Sequence, residues 1–128
     1  MENDLKQSLK QFTGSCHWYQ TKQKKFLYTD GIKYLIDHTN AYWLIDLVRS
    51  YQQIPEYHSL PLQVWHLETD KNTKDGIIIM KGGKGMIEHV RHQLKNITFP
   101  LTTFEFYVTS DYAMKGYLQK IMMLKTEY

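Results

Sequence analysis

FLYTDGIKYLIDHTNAYWLIDLVRSYQ, residues 26–52, decides how the chain is read. It opens on three strand-forming residues, breaks at Thr29-Asp30-Gly31, and continues with apolar residues at helical spacing. Ile32, Leu35 and Ile36 fall on one side of a helix that stops near His38-Thr39-Asn40. Asp30 or Thr29 is placed to accept from the free amides of its first turn, and a carboxylate there also suits the helix dipole. On this reading Asp30 is a cap, and its loss costs about 1 kcal/mol. Thr39 or Asn40 can cap a second helix. In that helix Ala41, Leu44, Ile45 and Val48 make one stripe, and Trp43, Leu47 and Tyr51 make another beside it. Only Asp46, Arg49 and Ser50 look outward, so this helix is expected at the centre of the core. Emptying the Trp43 position is expected to cost roughly 3–5 kcal/mol.

Upstream, residues 2–11 fit a short amphipathic helix through Leu5, Leu9 and Phe12, ended by Thr13-Gly14-Ser15. CHWYQ and FLY read as short extended pieces on either side of a lysine run. Downstream of Pro55 and Pro61 the apolar period changes from 3.6 to 2. LQVWHLE (62–68) alternates as a strand, with Leu62 and Val64 on one face and Trp65 and Leu67 on the other. TDKNTKDG is a polar connection ending in the turn signal Asp75-Gly76. IIIM (77–80) is a short apolar strand. FEFYV (104–108) places Phe104, Phe106 and Val108 inward and Glu105 and Tyr107 outward. Residues 117–124 read as a last strand, although their methionines also fit a helix. In GMIEHVRHQL, Met86, Ile87, Val90 and Leu94 fit a helical stripe, but they also fit a strand folding back on 77–80 through KGGKG. The glycine-rich loop favours the hairpin. The expected architecture is α+β, with N-terminal helices packed on one face of an antiparallel sheet of about four to five strands, in one domain of 128 residues.

Composition excludes more than it assigns. A net charge of +3 spread along the chain is not the basic stripe of a dedicated nucleic-acid binder. The single cysteine, Cys16, excludes an internal disulfide framework and fits a reducing compartment. The first residues lack a signal-type apolar core and no run reaches spanning length, so the chain reads as cytoplasmic. Ten tyrosines bring apolar area with a polar tip, suited to half-buried surfaces.

The candidate chemistry is thin. KGGKG (81–85) lacks both the glycine spacing of a phosphate loop and the hydroxyl that follows its lysine, so it reads as a turn. Glu88, His89 and His92 resemble a metal-binding helix only loosely, because the histidines are three apart rather than four. On a strand they would point to opposite faces. Cys16, His17, His58 and His66 are the further ligands a zinc site would have to recruit. HWYQTKQKKFLY interleaves aromatics with Lys22, Lys24 and Lys25, a pattern compatible with stacking on bases.

Taken in order, FTGS (12–15), WY (18–19), LYTDGIKYL (27–35), AYWLID (41–46), QVWHL (63–67), ITFPL (97–101) and the closing EY (127–128) resemble a family of small bacterial, plasmid and phage proteins known only as a domain of unknown function. The family pattern has Tyr-Thr-Asp-Phe-Pro-Leu where this chain has ITFPL, and Leu-Pro-Ser-Glu-Tyr where it has LKTEY. The resemblance implies a mobile-element setting and an extended segment before ITFPL. It assigns no catalytic, metal or cofactor residue. The function expected is that of a non-enzymatic accessory protein of a phage or plasmid that binds a host protein, for example to antagonise a defence system. Trp18, Tyr19, Tyr57 and Tyr107, the last two as exposed tyrosines, are its contact residues, because aromatic anchors dominate binding hot spots. The alternatives are nucleic-acid binding through Lys22, Lys24 and Lys25, and a small metal-dependent enzyme using Glu88, His89 and His92.

Overall fold

The computed structural model describes residues 2–13, 18–20, 26–111 and 119–128. Helix α1 (Glu2–Leu9) is followed by strands β1 (Trp18–Gln20) and β2 (Phe26–Thr29) and by helices α2 (Asp30–Thr39), α3 (Tyr42–Tyr51) and the short α4 (Pro55–His58). Strands β3 (Leu62–Asp70), β4 (Asp75–Gly82), β5 (Ile87–Leu94), β6 (Thr103–Asp111) and β7 (Gln119–Leu124) follow, and a 3-10 turn (Lys125–Glu127) closes the described chain. The class is α+β, as expected, but the sheet has seven strands in the order β1-β2-β7-β6-β3-β4-β5. It is also mixed, since β2 pairs with β7 in parallel while every other neighbouring pair is antiparallel. The five strands β3–β7 correspond to the segments legible as strands in the sequence. The two extra ones are the short pieces before α2, which add to the sheet through β7. Among the described residues no helix is long and apolar enough to cross a membrane.

Alternation sorts the sheet's side chains as the period-2 pattern demands. Trp65, Leu67, Ile78, Met80, Phe104, Phe106 and Val108 share one core with Ile32, Leu35, Ile36, Leu44, Ile45 and Val48 from α2 and α3. Its centre is Trp65 of β3, fully buried and stacked on Phe106 with ring centroids 6.0 Å apart. Trp43 of α3, expected there, is only half-buried and meets Phe99 edge-on at 6.2 Å. A buried amide pair fastens α3 to β3: Gln52 and Gln63 bond each other reciprocally at 2.8 Å, and the Trp65 indole donates to Gln63 Oε1 at 2.9 Å. The amide groups of Gln52 and Gln63 and the Trp65 indole thereby keep partners inside the core.

The start of α2 differs from the expected cap. Thr29 is the N-cap residue, but its side chain accepts no bond from the first turn. The acceptor arrives from the far end of the chain. Glu127 Oε2 accepts from Gly31 N at 3.1 Å, while Oε1 accepts from the Thr29 hydroxyl at 2.6 Å and from Leu124 N at 3.0 Å. The parallel β2–β7 pairing places these groups side by side. Glycine at 31 is required by this approach, because a Cβ there would lie 2.5 Å from both Glu127 Oε1 and Leu124 Cδ1. Asp30 serves another purpose: the Tyr19 hydroxyl donates to its carboxylate, tying β1 to the helix. Asp30→Ala is therefore expected to cost about 1 kcal/mol, the net value of one hydrogen bond, and to raise hydrogen exchange in β1.

The β4–β5 hairpin forms as the glycines suggested, with Gly83 and Gly85 at φ 76° and 79° and Met86 at φ 49°. The β3–β4 connection does not turn at Asp75-Gly76, which already belong to β4. It turns earlier, where Asp70 accepts from Asn72 N and Thr73 N and Lys74 takes φ 60°. An Asx-type turn at Asp70 thus pre-empts the Asp-Gly signal.

Candidate functional site on the open face of the sheet

The register of β3, β4, β6 and β7 gathers the outward residues into one surface. His66 lies between Ile79 of β4 and Glu105 of β6, Val64 lies between Lys81 and Tyr107, and Tyr107 faces Met123. Val64, His66, Ile77, Ile79, Tyr107 and Met123 are all half-buried. At the sheet's other end Leu27 and Ile121, on this same face, are buried, so the accessible area is centred on β3, β4 and β6. Val64, His66, Ile79, Lys81 and Glu105 line a depression of about 260 Å³.

A charge ladder crosses this surface. His66 Nδ1 lies 3.1 Å from Glu105 Oε2 and Nε2 lies 2.9 Å from Glu68 Oε1. Lys125 Nζ reaches Glu105 Oε1 at 2.9 Å. The Lys125 ammonium, and then the His66 ring, hold the Glu105 carboxyl below its usual value, while Glu105 raises Lys125. With a carboxylate opposite each ring nitrogen, His66 directs no free lone pair at a substrate. A general base needs that lone pair within reach of the proton it removes. The ladder instead frames an apolar patch with paired polar and charged groups, an arrangement suited to recognition.

The second histidine cluster lies on the other side of the sheet. Register shifts at Met80/Lys81, so that Met80 faces Val90 and Lys81 faces Glu88, leaving His89 as an extra residue. This β-bulge re-aims His89 and corrects the expectation that His89 and His92 point to opposite faces. His89 meets the Tyr57 ring edge-on at 5.7 Å, and His92 meets Tyr51 in the same way at 6.1 Å. Tyr51 and Tyr57 are themselves in contact at 6.3 Å. Each of the four side chains makes at least one hydrogen bond within the fold. His92 Nδ1 shares a 2.7 Å hydrogen bond with the Tyr51 hydroxyl, His89 Nε2 lies 3.2 Å from Gly82 O, and the Tyr57 hydroxyl donates to His89 O at 3.1 Å. Glu88 is remote from this cluster and pairs with Arg91, whose guanidinium lowers its carboxyl pKa. Among the described residues no group of three or more His, Cys, Asp or Glu side chains is arranged to hold a metal ion.

The contact residues expected from the sequence therefore fall apart. Tyr107 belongs to the open face, where its ring meets Tyr128 edge-on at 5.2 Å. Tyr57, expected as exposed, is half-buried in the bulge cluster, and Tyr107 is half-buried as well. Tyr19 stacks on Tyr28 at 5.5 Å under the Lys33 ammonium, and its phenol pKa is raised by the bond to Asp30. Trp18 belongs to β1 by its backbone, and its side chain is outside the description. Cys16, His17, Lys22, Lys24 and Lys25 lie outside the described residues.

Two buried groups had no sequence signal beyond residue type. One is Glu127. The other is Lys120, 1% exposed on β7, whose ammonium donates to Leu60 O and to the Ser110 hydroxyl, both at 2.6 Å. Burial lowers its pKa to about 8. A serine beside a lysine invites comparison with a nucleophile and its base. Here the amine is a donor to both oxygens and joins the α4–β3 corner to β6 and β7.

No curated protein and no solved structure matches the chain. One family model does match, over residues 3–128. By that match the chain belongs to the family of unknown function DUF6876.

Proposed function

We propose that this protein is a non-enzymatic accessory factor of a phage or plasmid that acts in the cytoplasm by binding a host protein, with antagonism of a bacterial defence system as its concrete form. The observation that carries the binding part is the open sheet face, where Val64, Ile77, Ile79, Tyr107 and Met123 stay half-buried within a frame of fixed charges. A surface of this kind, an apolar centre rimmed by polar groups, is suited to a protein partner. The histidines support the same reading, since both ring nitrogens of His66, Nδ1 of His92 and Nε2 of His89 lie within hydrogen-bond distance of groups of the fold. The mobile-element setting rests on the resemblance of the sequence motifs alone.

The expected outcome is that the tagged protein captures a discrete partner from host lysate and that the double variant Ile79→Glu, Tyr107→Ala loses it. Truncating one central aromatic anchor typically weakens binding by about 2 kcal/mol, roughly thirtyfold. Circular dichroism on the variant separates lost binding from lost folding. Absence of any captured protein with the fold intact, or capture undiminished by the double substitution, would remove this proposal.

A further inference from the structure

A groove runs between α1 and the adjoining ends of β6 and β7. Its floor is Leu9, Leu101, Phe104 and Leu124, all nearly buried. Its rim carries Lys6, Lys10 and Lys125 against a single carboxylate, Glu105. The volume is about 200 Å³, below the roughly 300–1,000 Å³ of sites that enclose a drug-sized ligand, and it suits one or two large side chains. Helix α1 is fixed over it from outside: Glu2 accepts from Lys71 at 2.8 Å and from the Thr102 backbone and hydroxyl, and the Lys71 ammonium leads the effects that lower its carboxyl pKa to about 2. Lys6 pairs with Glu2 and Lys125 with Glu105, while Lys10 has no ionic partner among the described residues.

We infer that this groove docks an acidic segment of a partner protein that inserts one large apolar side chain between α1 and Leu124. The floor needs an apolar occupant, and Lys10, the rim cation left without an ionic partner among the described residues, selects a negatively charged flank. A polynucleotide would satisfy the lysines and leave the floor wet. It would also find no open ring to stack on, because Phe104 is already stacked on Phe106 at 5.4 Å. Glu105 and Lys125 line the groove and also belong to the ladder of the open face, so a segment seated here continues onto that surface. The inference rests on the proposal that the protein binds another protein, and it adds the chemistry of the partner.

The test uses the full chain, isotope-labelled, titrated at low salt with a short peptide of aspartates and glutamates around one phenylalanine. A second peptide has alanine in place of the phenylalanine. Saturable shifts at the amides of Leu9, Lys10, Thr103 and Leu124 are expected. Alanine in the peptide should weaken binding about tenfold or more, the value of burying one such side chain. Lys10→Glu in the protein should weaken it about tenfold and leave the spectrum of the core unchanged. Equal binding of the two peptides, or the absence of saturable shifts at those amides, would overturn the groove. Lysate capture run in parallel keeps the two ideas apart. A partner lost with Ile79→Glu, Tyr107→Ala but held by Lys10→Glu refutes the groove alone, whereas peptide binding without any captured protein refutes the broader function alone.

Discussion

Replacing Glu127 by alanine is expected to lower the stability of the fold by about 3–5 kcal/mol, because three buried donors lose their acceptor at once. The Thr29 hydroxyl, Gly31 N and Leu124 N all converge on this carboxylate. Each unsatisfied buried donor costs roughly 1–3 kcal/mol, against a total stability of about 5–15 kcal/mol for an ordinary domain. The shift in urea midpoint measures the loss. Glu127→Gln should fall between alanine and wild type, since the amide keeps one acceptor oxygen but turns a donor towards another N–H. Gly31→Ala should be as damaging on its own, because its Cβ overlaps the same carboxylate and Leu124. In the Glu127→Ala background that second substitution should cost much less, the non-additivity expected of groups in direct contact. A loss under about 1 kcal/mol for Glu127→Ala would mean that the carboxylate does not hold the start of α2.

The second large effect is a rise in stability with pH. Lys120 titrates at about 8 when folded and has an ordinary value of 10.5. Between those values the unfolded chain binds more protons than the folded one, so raising the pH favours the folded state. Below about pH 8 the ammonium is charged in both states and the fold carries the full cost of burying it. The span of about 2.5 pH units sets an upper bound of roughly 3 kcal/mol on the gain. Tyr19, Tyr42 and Tyr51, all raised above the usual phenol value, work in the other direction once the pH passes about 10. Denaturation between about pH 8 and 9.5 isolates the lysine. Wild type should gain stability across that interval and Lys120→Met should be flat. A wild-type curve that falls there would contradict the burial assigned to this amine.

The elements were legible in the sequence wherever a period ran long enough to name its face. The alternation of residues 62–68 set Trp65 and Leu67 on the face opposite Val64, that of 104–108 placed Phe106 inside and Glu105 and Tyr107 outside, and the structure agrees. The hairpin through Gly83 and Gly85 was favoured for the right reason, glycines at positive φ. What could not be read is what depends on partners far along the chain. Nothing local in Phe26–Thr29 indicates that it pairs in parallel with β7, and nothing near Gly31 names an acceptor 96 residues away. Asp30 looked like the cap because the rule for caps is local. The site follows the same division: Tyr107 was found by alternation, whereas the His66–Glu105–Lys125 ladder exists only through β3–β6 and β6–β7 register. The bulge at His89 defeated a face assignment that assumed strict period 2.

Because β7 is inserted between β2 and β6, strands β1 and β2 join the rest of the sheet only through a strand that follows β3 to β6 in the chain. On the ribosome, β3 to β6 can assemble while β1, β2 and the start of α2 still wait for residues 119–127 to emerge. Closure across so long a span is the slow kind of contact to make. Nascent chains arrested before β7 should therefore hold an N-terminal segment open to proteases that cannot cut the finished protein.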